Sequence, residues 1–402
     1  MVKNRQFSYE TLVCHEGRWL IHCIVPEEED AVAIGRRLLT EPGNEEIKVV
    51  RNRTMLTGFT TKREILHEVR PAIKEKAMVI KGRVDRSVVC EEVDDIYALQ
   101  SRLIMGRLFR LFLEKYQITA TELLHNWTYL RKLSDAGNML HAAVHQVALA
   151  QAAELNIPAK ERIHHIEGLV HQAMARARDF YAERRHLPRF DTANLDHVSR
   201  RVHARCGPEN HVFTMRCLLG QHLMGYGSVG GKMEMLLTLM TEDLDPVLGA
   251  LFEGVVADAL VTTDMIKDLI GPQANLAQSL CSLADFLHGR GDVKRMTPNL
   301  ARIGALIERG AGESCRLILV ERLLAELKRD HPLDRKCPEA DGALLDSVIE
   351  HLRGPSDELL GGEAAEAAIA DRLVRQRQAF LRDLGMVEVA DQLPGKWKPN
   401  VN

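Results

Sequence analysis

Two patterns of hydrophobic and polar positions divide the chain near residue 85. Before that point, short segments alternate apolar and polar residues, which is the period of a β-strand with one buried face. From residue 93 onward, apolar residues recur every three to five positions, as on the buried face of an amphipathic helix. We therefore predict a mainly α protein, with a small N-terminal α+β domain followed by a large all-α helical-bundle region.

The first 85 residues have the pattern of a small antiparallel sheet with one helix packed on it. Predicted strands cover residues 7–13, 18–25, 46–51 and 59–69, and a further short strand is suggested at residues 78–80. The first two strands are rich in β-branched and aromatic residues and flank a short polar turn, which predicts a β-hairpin. Residues 26–39 form a helix that begins with proline and four acidic residues, which suit its positive end. Residues 65–69 also fit a helix, which is the alternative for the end of the fourth strand.

The sharpest local signal in the chain is a capping box at Thr119 and Glu122. In this motif the threonine oxygen accepts the glutamate amide, and the glutamate carboxylate accepts the threonine amide. The box lies within residues 93–185, which the periodicity divides into four consecutive helices. Because residues 126–130 continue the helical pattern, we expect no tight turn of a helix-turn-helix motif after the capping box.

Breaks in the pattern define the domain organisation. The predicted divisions are a small α+β domain at 1–85, a helical domain at 86–190, a second helical domain at 191–385 and a flexible tail at 386–402. Residues 186–190 form the break between the helical domains. Asp245-Pro246 and Thr297-Pro298 each place a capping residue before a proline, which predicts two helix starts. The tail contains two prolines and a glycine, so we expect it to be loosely held unless Trp397 docks on the rest of the protein.

Composition is that of a soluble globular protein, with 46% hydrophobic and 27% charged residues. The formal net charge of -3 implies no overall attraction to nucleic acid or anionic lipid. The eight cysteines are scattered without a Cys-x-x-Cys pair, which favours reduced thiols over a disulfide framework or a zinc ribbon. No stretch approaches the roughly 20 apolar residues of a membrane span. We expect a cytoplasmic protein without membrane insertion.

One candidate metal site rests on His141 and His145, which are four residues apart and therefore share one helix face. Candidates for a third ligand on the next predicted helix are His164, His165 and His171. The pair lacks the glutamate that acts as general base in H-E-x-x-H metalloproteases. The alternative is that both histidines are ordinary, partly exposed helix positions among the 17 in the chain. A second group of residues with metal-ligand chemistry is His197, His203, Cys206, His211 and Cys217, whose intervals match no common zinc pattern.

A candidate cofactor site is Gly225, Gly227 and Gly230, which fit the letters G-x-G-x-x-G. In a dinucleotide-binding fold this motif follows a strand and lets the backbone approach a pyrophosphate. Here the preceding residues have a helical pattern, so the sequence favours a helix-to-helix connection. The neighbouring Lys232 is followed by Met233, where a phosphate-binding loop needs serine or threonine.

The function favoured by the sequence is a cytoplasmic, non-enzymatic regulatory or scaffolding protein that acts through a protein partner or self-association. No nucleophile elbow and no local Ser, His and Asp set is present, which disfavours an enzyme without excluding distant catalytic groups. One alternative is a metal-dependent enzyme that uses the His141 and His145 pair, with a divalent metal as cofactor. A second is a nucleic-acid-associated regulator that uses arginine-rich faces such as residues 176–189, a partner class that the net charge disfavours.

Overall fold

The computed structural model describes residues 6–15, 18–40, 44–54, 60–69, 80, 84, 87–291 and 296–396. Their contacts divide the chain into two compact units, residues 1–76 and 77–402. The first unit contains the four described strands and one helix, and the described elements of the second are helices. This arrangement confirms the predicted fold class.

The first unit is a four-stranded antiparallel sheet. Its elements are β1 (Gln6–His15), β2 (Arg18–Val25), α1 (Glu28–Thr40), β3 (Asn44–Thr54) and β4 (Thr60–Val69). The strand order is β2-β1-β3-β4. Both the hairpin of β1 with β2 and the helix after it are confirmed, whereas the helical alternative for residues 65–69 is wrong. The short strand that the sequence also suggests at residues 78–80 begins outside the described residues.

Helix α1 covers one face of this sheet. Val13, Leu38 and Ile47 form the buried cluster between helix and strands. The Thr11 hydroxyl donates a hydrogen bond of 3.2 Å to the carbonyl of Ala31 in α1. Since successive strand residues point to opposite faces, these contacts identify which side chains of β1 face α1 and which do not.

The second unit contains α2 to α18. Their bounds are α2 (Val93–Tyr97), α3 (Leu99–Leu108), α4 (Arg110–Tyr116), α5 (Ala120–His125), α6 (Trp127–Asp135), α7 (Met139–Leu155), α8 (Ala159–Glu183), α9 (Leu195–Leu223), α10 (Val229–Leu239), α11 (Pro246–Ala259), α12 (Thr263–Ile270), α13 (Leu276–Leu287), α14 (Pro298–Glu308), α15 (Glu313–Leu327), α16 (Asp341–Leu352), α17 (Glu363–Asp383) and α18 (Val387–Lys396). Asp245 and Thr297 cap α11 and α14 through side-chain hydrogen bonds, so both predicted helix starts are confirmed.

The region before α7 is more broken than its periodicity predicts. Ala98 is extended between α2 and α3, and Phe109 leaves helical geometry between α3 and α4. Asn126 is also extended (φ -129°, ψ 107°), so the predicted continuation of the capped helix through residues 126–130 is wrong. The Asn126 side chain instead accepts the amide of Thr128 at 3.0 Å and caps α6. Asparagine competes with helix propagation in this way because its side chain satisfies a nearby amide.

Helix α9 is sharply bent at Gly207 and Pro208. Gly207 has φ 74° and ψ 169°, a left-handed conformation that favours glycine. The following proline has no amide to continue the hydrogen-bond ladder, so the helix is kinked there into two segments. The bend brings the rings of His203 and His211 to 5.4 Å between centroids.

The C-terminal residues differ from the predicted flexible tail. Residues 387–396 form α18, which packs on α17 through the fully buried Ala390. Gln378 of α17 also donates to the Ala390 carbonyl at 3.1 Å. Trp397, which the sequence suggests as a docking residue, lies outside the described residues.

One buried cluster of the second unit contains residues from both sides of the predicted division at residue 190. Leu103 belongs to the same buried cluster as residues from Leu195 to Ile369. All eight cysteines are free thiols. Within the described part of the chain, no single helix is long and apolar enough to cross a membrane. Of the described helices, only α11 and α12 taken together, which are bent by 104° relative to each other, have the length and composition of a broken span.

Candidate functional site

The His141 and His145 pair lies on α7 with both side chains exposed. His141 Nδ1 is 4.0 Å from Glu167 Oε1, and both His164 and His171 are exposed on α8. Among the residues that the structure describes, no three His, Cys, Asp or Glu side chains are grouped so that they can hold a metal ion. The metal site therefore stays a prediction to which the described geometry adds no third ligand.

The second histidine and cysteine group lies along α9 on both sides of its bend. Cys217 is fully buried, and burial raises the pKa of its thiol well above the usual range. His211 Nε2 lies 3.0 Å from the Ser199 hydroxyl. The described residues contain no group of three such side chains that could hold a metal ion, and these five are no exception.

Gly225 and Gly227 lie in the connection between α9 and α10, and Gly230 lies in the first turn of α10. Helix α9 precedes them, where a dinucleotide motif requires a strand. Ser228 caps α10 by accepting the amide of Gly231 at 3.1 Å. The segment is thus the helix-to-helix connection that the sequence favours.

The described structure instead centres on α5, whose six residues are all buried. The capping box at its start is confirmed: Thr119 Oγ1 accepts the Glu122 amide at 3.3 Å, and Glu122 Oε2 accepts the Thr119 amide at 2.9 Å. Helix α5 is thereby fixed at its amino end by its own side chains. Its sides contact α3, α6, α8, α9 and α11.

A buried ion pair joins α5 to α3 and α11. Asp258 Oδ1 accepts Arg102 Nε at 3.0 Å, with both side chains at most 5% exposed. Asp258 Oδ2 also accepts the amide and the hydroxyl of Thr121, each at 2.7 Å. The guanidinium of Arg102 donates further to the carbonyls of Tyr97 and Gly254. A Cβ at Gly254 would lie 3.1 Å from Arg102 Nη2, so glycine permits this close approach.

A second buried ion pair joins α5 to α10. Lys232 Nζ donates to Glu122 Oε1 at 2.7 Å and to the Gln117 carbonyl at 2.6 Å. Both charged side chains are nearly inaccessible to water. Burial of two charges is costly unless their hydrogen bonds are satisfied, and here each charge has several partners.

His125 ends α5 as a neutral imidazole. Its Nδ1 lies 2.7 Å from the Thr121 carbonyl and so carries the proton, and its ring lies between Tyr97 and Phe213. Complete burial, together with the nearby positive charge of Arg216, lowers its pKa from 6.5 to about 3. A charged imidazole is therefore excluded from the folded helical unit near neutral pH.

We expect this histidine to make folding sensitive to acid. Between pH 6.5 and 3 the unfolded chain binds a proton that folded His125 excludes, so stability is complete above pH 6.5 and falls by about 1.4 kcal/mol per pH unit below it. From pH 7.5 to 5.0 this term lowers the free energy of unfolding by about 2 kcal/mol. Urea unfolding measures this fall between the two pH values. In His125→Phe the free energy of unfolding should fall by about 2 kcal/mol less than in wild type. In the exposed control His171→Phe it should fall as much as in wild type.

The buried network has a structural rather than a catalytic geometry. A cleft of about 260 Å³ adjoins it, lined by Thr119, Gly230 and Asp258 among others. The two ion pairs make their hydrogen bonds with other protein groups, so their charges are compensated within the fold. We therefore assign the network the role of fixing α3, α5, α10 and α11 to one another.

The first unit has a different feature, an open sheet face opposite α1. Glu10, Leu12 and Cys14 of β1 point away from α1, because Val13 between them packs on it. Their partners across the β1 and β2 pairing are Ile24, Ile21 and Trp19 respectively, which therefore lie on the open face. The Trp19 ring is 4.6 Å from Lys48 Nζ and 6.0 Å from the His67 ring.

Strand β2 is an edge strand with large exposed apolar side chains. The exposed residues are Trp19 (37%), Leu20 (61%), Ile21 (56%) and Ile24 (57%). The opposite edge, β4, differs because Lys62, Arg63, Glu64 and Glu68 place charges along it. Charged edges resist pairing with other strands, whereas an apolar edge invites it.

Comparison of the chain with known protein families, curated proteins and solved structures finds no match. The fold defines the protein only as a mainly helical chain with a small N-terminal α+β unit. The arguments for function therefore come from its own surfaces.

Proposed function

We propose that this chain is a cytoplasmic, non-enzymatic scaffolding or regulatory protein that works through protein-protein contacts made by the β2 edge of its N-terminal sheet. The observation that carries the proposal is the row of exposed apolar residues on β2. An edge strand presents unpaired backbone amides and carbonyls to any strand that can align with it, and β2 does so on either side of its bulge at His22. Because charged residues on β4 disfavour pairing with another strand, β2 is the edge at which such pairing is expected.

The occupant that the β2 sequence fits is the same strand of a second copy. Its eight residues carry one formal charge, at Arg18, so antiparallel pairing of two β2 strands opposes no like charges near its centre. Alignment of Trp19 with Ile24 of the other copy brings open-face residues together. The same register aligns Leu20 with Cys23, which both lie on the α1 side.

This pairing would join the two sheets into one sheet of eight strands with two-fold symmetry. Isologous contacts of this kind close on themselves, so they produce a dimer rather than a filament. The apolar character of the contact suits a lasting association better than a transient one. The dimer would then carry two helical units.

Ile24→Asp is expected to weaken dimerisation by at least about 100-fold, since it places an unpaired carboxylate opposite the ring of Trp19 of the other copy. Sedimentation equilibrium over a range of protein concentrations measures the change. The matched control is Val69→Asp on β4, where the side chain is equally exposed (58%) and the dimer should persist. A wild-type chain that stays monomeric at every concentration contradicts the proposal, as does equal weakening by both variants.

A further inference from the structure

The helical unit contains a partly open apolar cavity of about 100 Å³, lined by residues of α2, α3, α5, α6, α7 and α8 together with the segment before α2 and Phe109. It lies where two buried clusters meet, one containing Phe112 and Leu123 and the other containing Leu124 and Ile166. Leu123 and Leu124 are neighbours on α5, so the central helix of the unit forms part of the wall. None of the lining residues is exposed.

The cavity wall carries no charged side chain, and its polar members are Ser87, Cys90 and Ser101. These three already have partners inside the protein. The Ser101 hydroxyl donates to the Asp95 carbonyl at 2.7 Å, the Ser87 hydroxyl accepts Gln151 Nε2 at 3.1 Å, and the Cys90 sulfur lies 3.6 Å from the Ser101 hydroxyl. The remaining wall is aliphatic, apart from Phe109 and two methionines.

Such a cavity is unfavourable for water. A buried water needs two to four polar partners, and the polar groups here are satisfied among themselves. An apolar cavity of about 150 Å³ in another protein stays dry and binds benzene. The space is therefore of a size and chemistry that suit an uncharged hydrocarbon group.

We propose that this cavity is a binding site for a small, uncharged apolar molecule of the size of an aromatic ring or a short alkyl chain. Met105 and Met174 line it, and their unbranched thioether side chains adapt their shape to a ligand at little cost. The site is independent of the β2 edge, so its test does not depend on dimerisation.

The probe of choice is benzene, observed through the methyl groups of ¹³C-labelled methionine in the full-length chain. Ring currents of bound benzene should shift the Met105 and Met174 methyl signals saturably. Met215 and Met233, which are buried in a different cluster, should not shift. Absence of any shift at Met105 and Met174, or unsaturable shifts at all four, would overturn the proposal.

A pair of substitutions on α7 separates cavity filling from general disturbance of the core. Ala143 lines the cavity, whereas Ala148 is equally buried on the same helix but does not. Ala143→Leu should abolish the benzene-induced shifts with little change in Tm, because its added carbons occupy the space. Ala148→Leu should lower the Tm by several degrees and keep the benzene response.

If Ala143→Leu fails to fold, Ala173→Val on α8 fills the same cavity with a smaller addition. Benzene should also raise the wild-type Tm of the helical unit by about 2 °C at saturation. Retention of the full benzene response in a folded, cavity-filled variant would contradict the assignment of the site.

Discussion

Asp258→Ala is expected to lower the free energy of unfolding of the helical unit by about 3–5 kcal/mol. The substitution removes the carboxylate that accepts hydrogen bonds from Arg102 and from both polar groups of Thr121. It leaves the guanidinium of Arg102 buried without its counter-charge, which is the costly half of breaking a buried pair. Urea unfolding followed by far-ultraviolet circular dichroism measures the loss.

The control for this prediction is Asp264→Ala on α12, whose side chain is 91% exposed and 3.8 Å from Lys267. An exposed pair of this kind contributes little, so the variant should unfold within about 1 kcal/mol of wild type. A loss below 1 kcal/mol in Asp258→Ala would mean that the pair does not hold α3, α5 and α11 together.

Lys232→Met should destabilise the same unit by a similar amount, about 3–5 kcal/mol. The change retains an unbranched side chain of similar length but removes the ammonium group from Glu122 and from the Gln117 carbonyl. Glu122 then keeps only its hydrogen bonds with Thr119, and its pKa, which burial already raises, rises further. Folding therefore costs either a buried unpaired charge or the uptake of a proton. Urea unfolding at pH 7 measures the effect.

A double variant tests whether the loss comes from the charge pair itself. Adding Glu122→Gln to Lys232→Met removes the unpaired charge, so the double variant should lose less stability than the sum of the two single variants by about 1–3 kcal/mol. Lys267→Met, at an exposed pair, is the matched control. Strict additivity would show that the two groups act independently.

The capping box shows how far local sequence predicts structure here. Thr119 and Glu122 carry a signal that depends only on residues three apart, and the structure confirms it. The second role of Glu122, as partner of Lys232, joins residues 110 positions apart and has no local signature. A hint lay in the low number of charged residues in α10 and α11, which contain two each, since charges in such apolar helices are rarely buried without a partner.

Two departures from the predicted elements have different physical causes. Asn126 ends α5 because its side chain caps the next helix, although the apolar period passes through it unbroken. Proline and glycine near the C-terminus suggested a loose tail, yet Ala390 packs fully against its surroundings and residues 387–396 are helical. A side-chain cap decides the first case and tertiary burial the second, and periodicity alone reports neither.

Strand β2 illustrates what the sequence reveals about function. Alternation and composition predict the hairpin, but they do not tell which strand of the sheet is at its edge. The order β2-β1-β3-β4 adds that information and makes the apolar residues of β2 an exposed edge rather than a covered one. His141 and His145, in contrast, are recognisable from spacing but acquire no further ligand in the described structure.

The most direct test of the proposed function is amide hydrogen exchange of the full-length chain at increasing protein concentration. Pairing of β2 with a second copy predicts that the β2 amides not bonded to β1 exchange rapidly in dilute solution and become protected as the concentration rises, while exchange in β4 stays constant. Exchange in β2 that does not depend on concentration, or new protection that appears in β4 instead, would contradict the account.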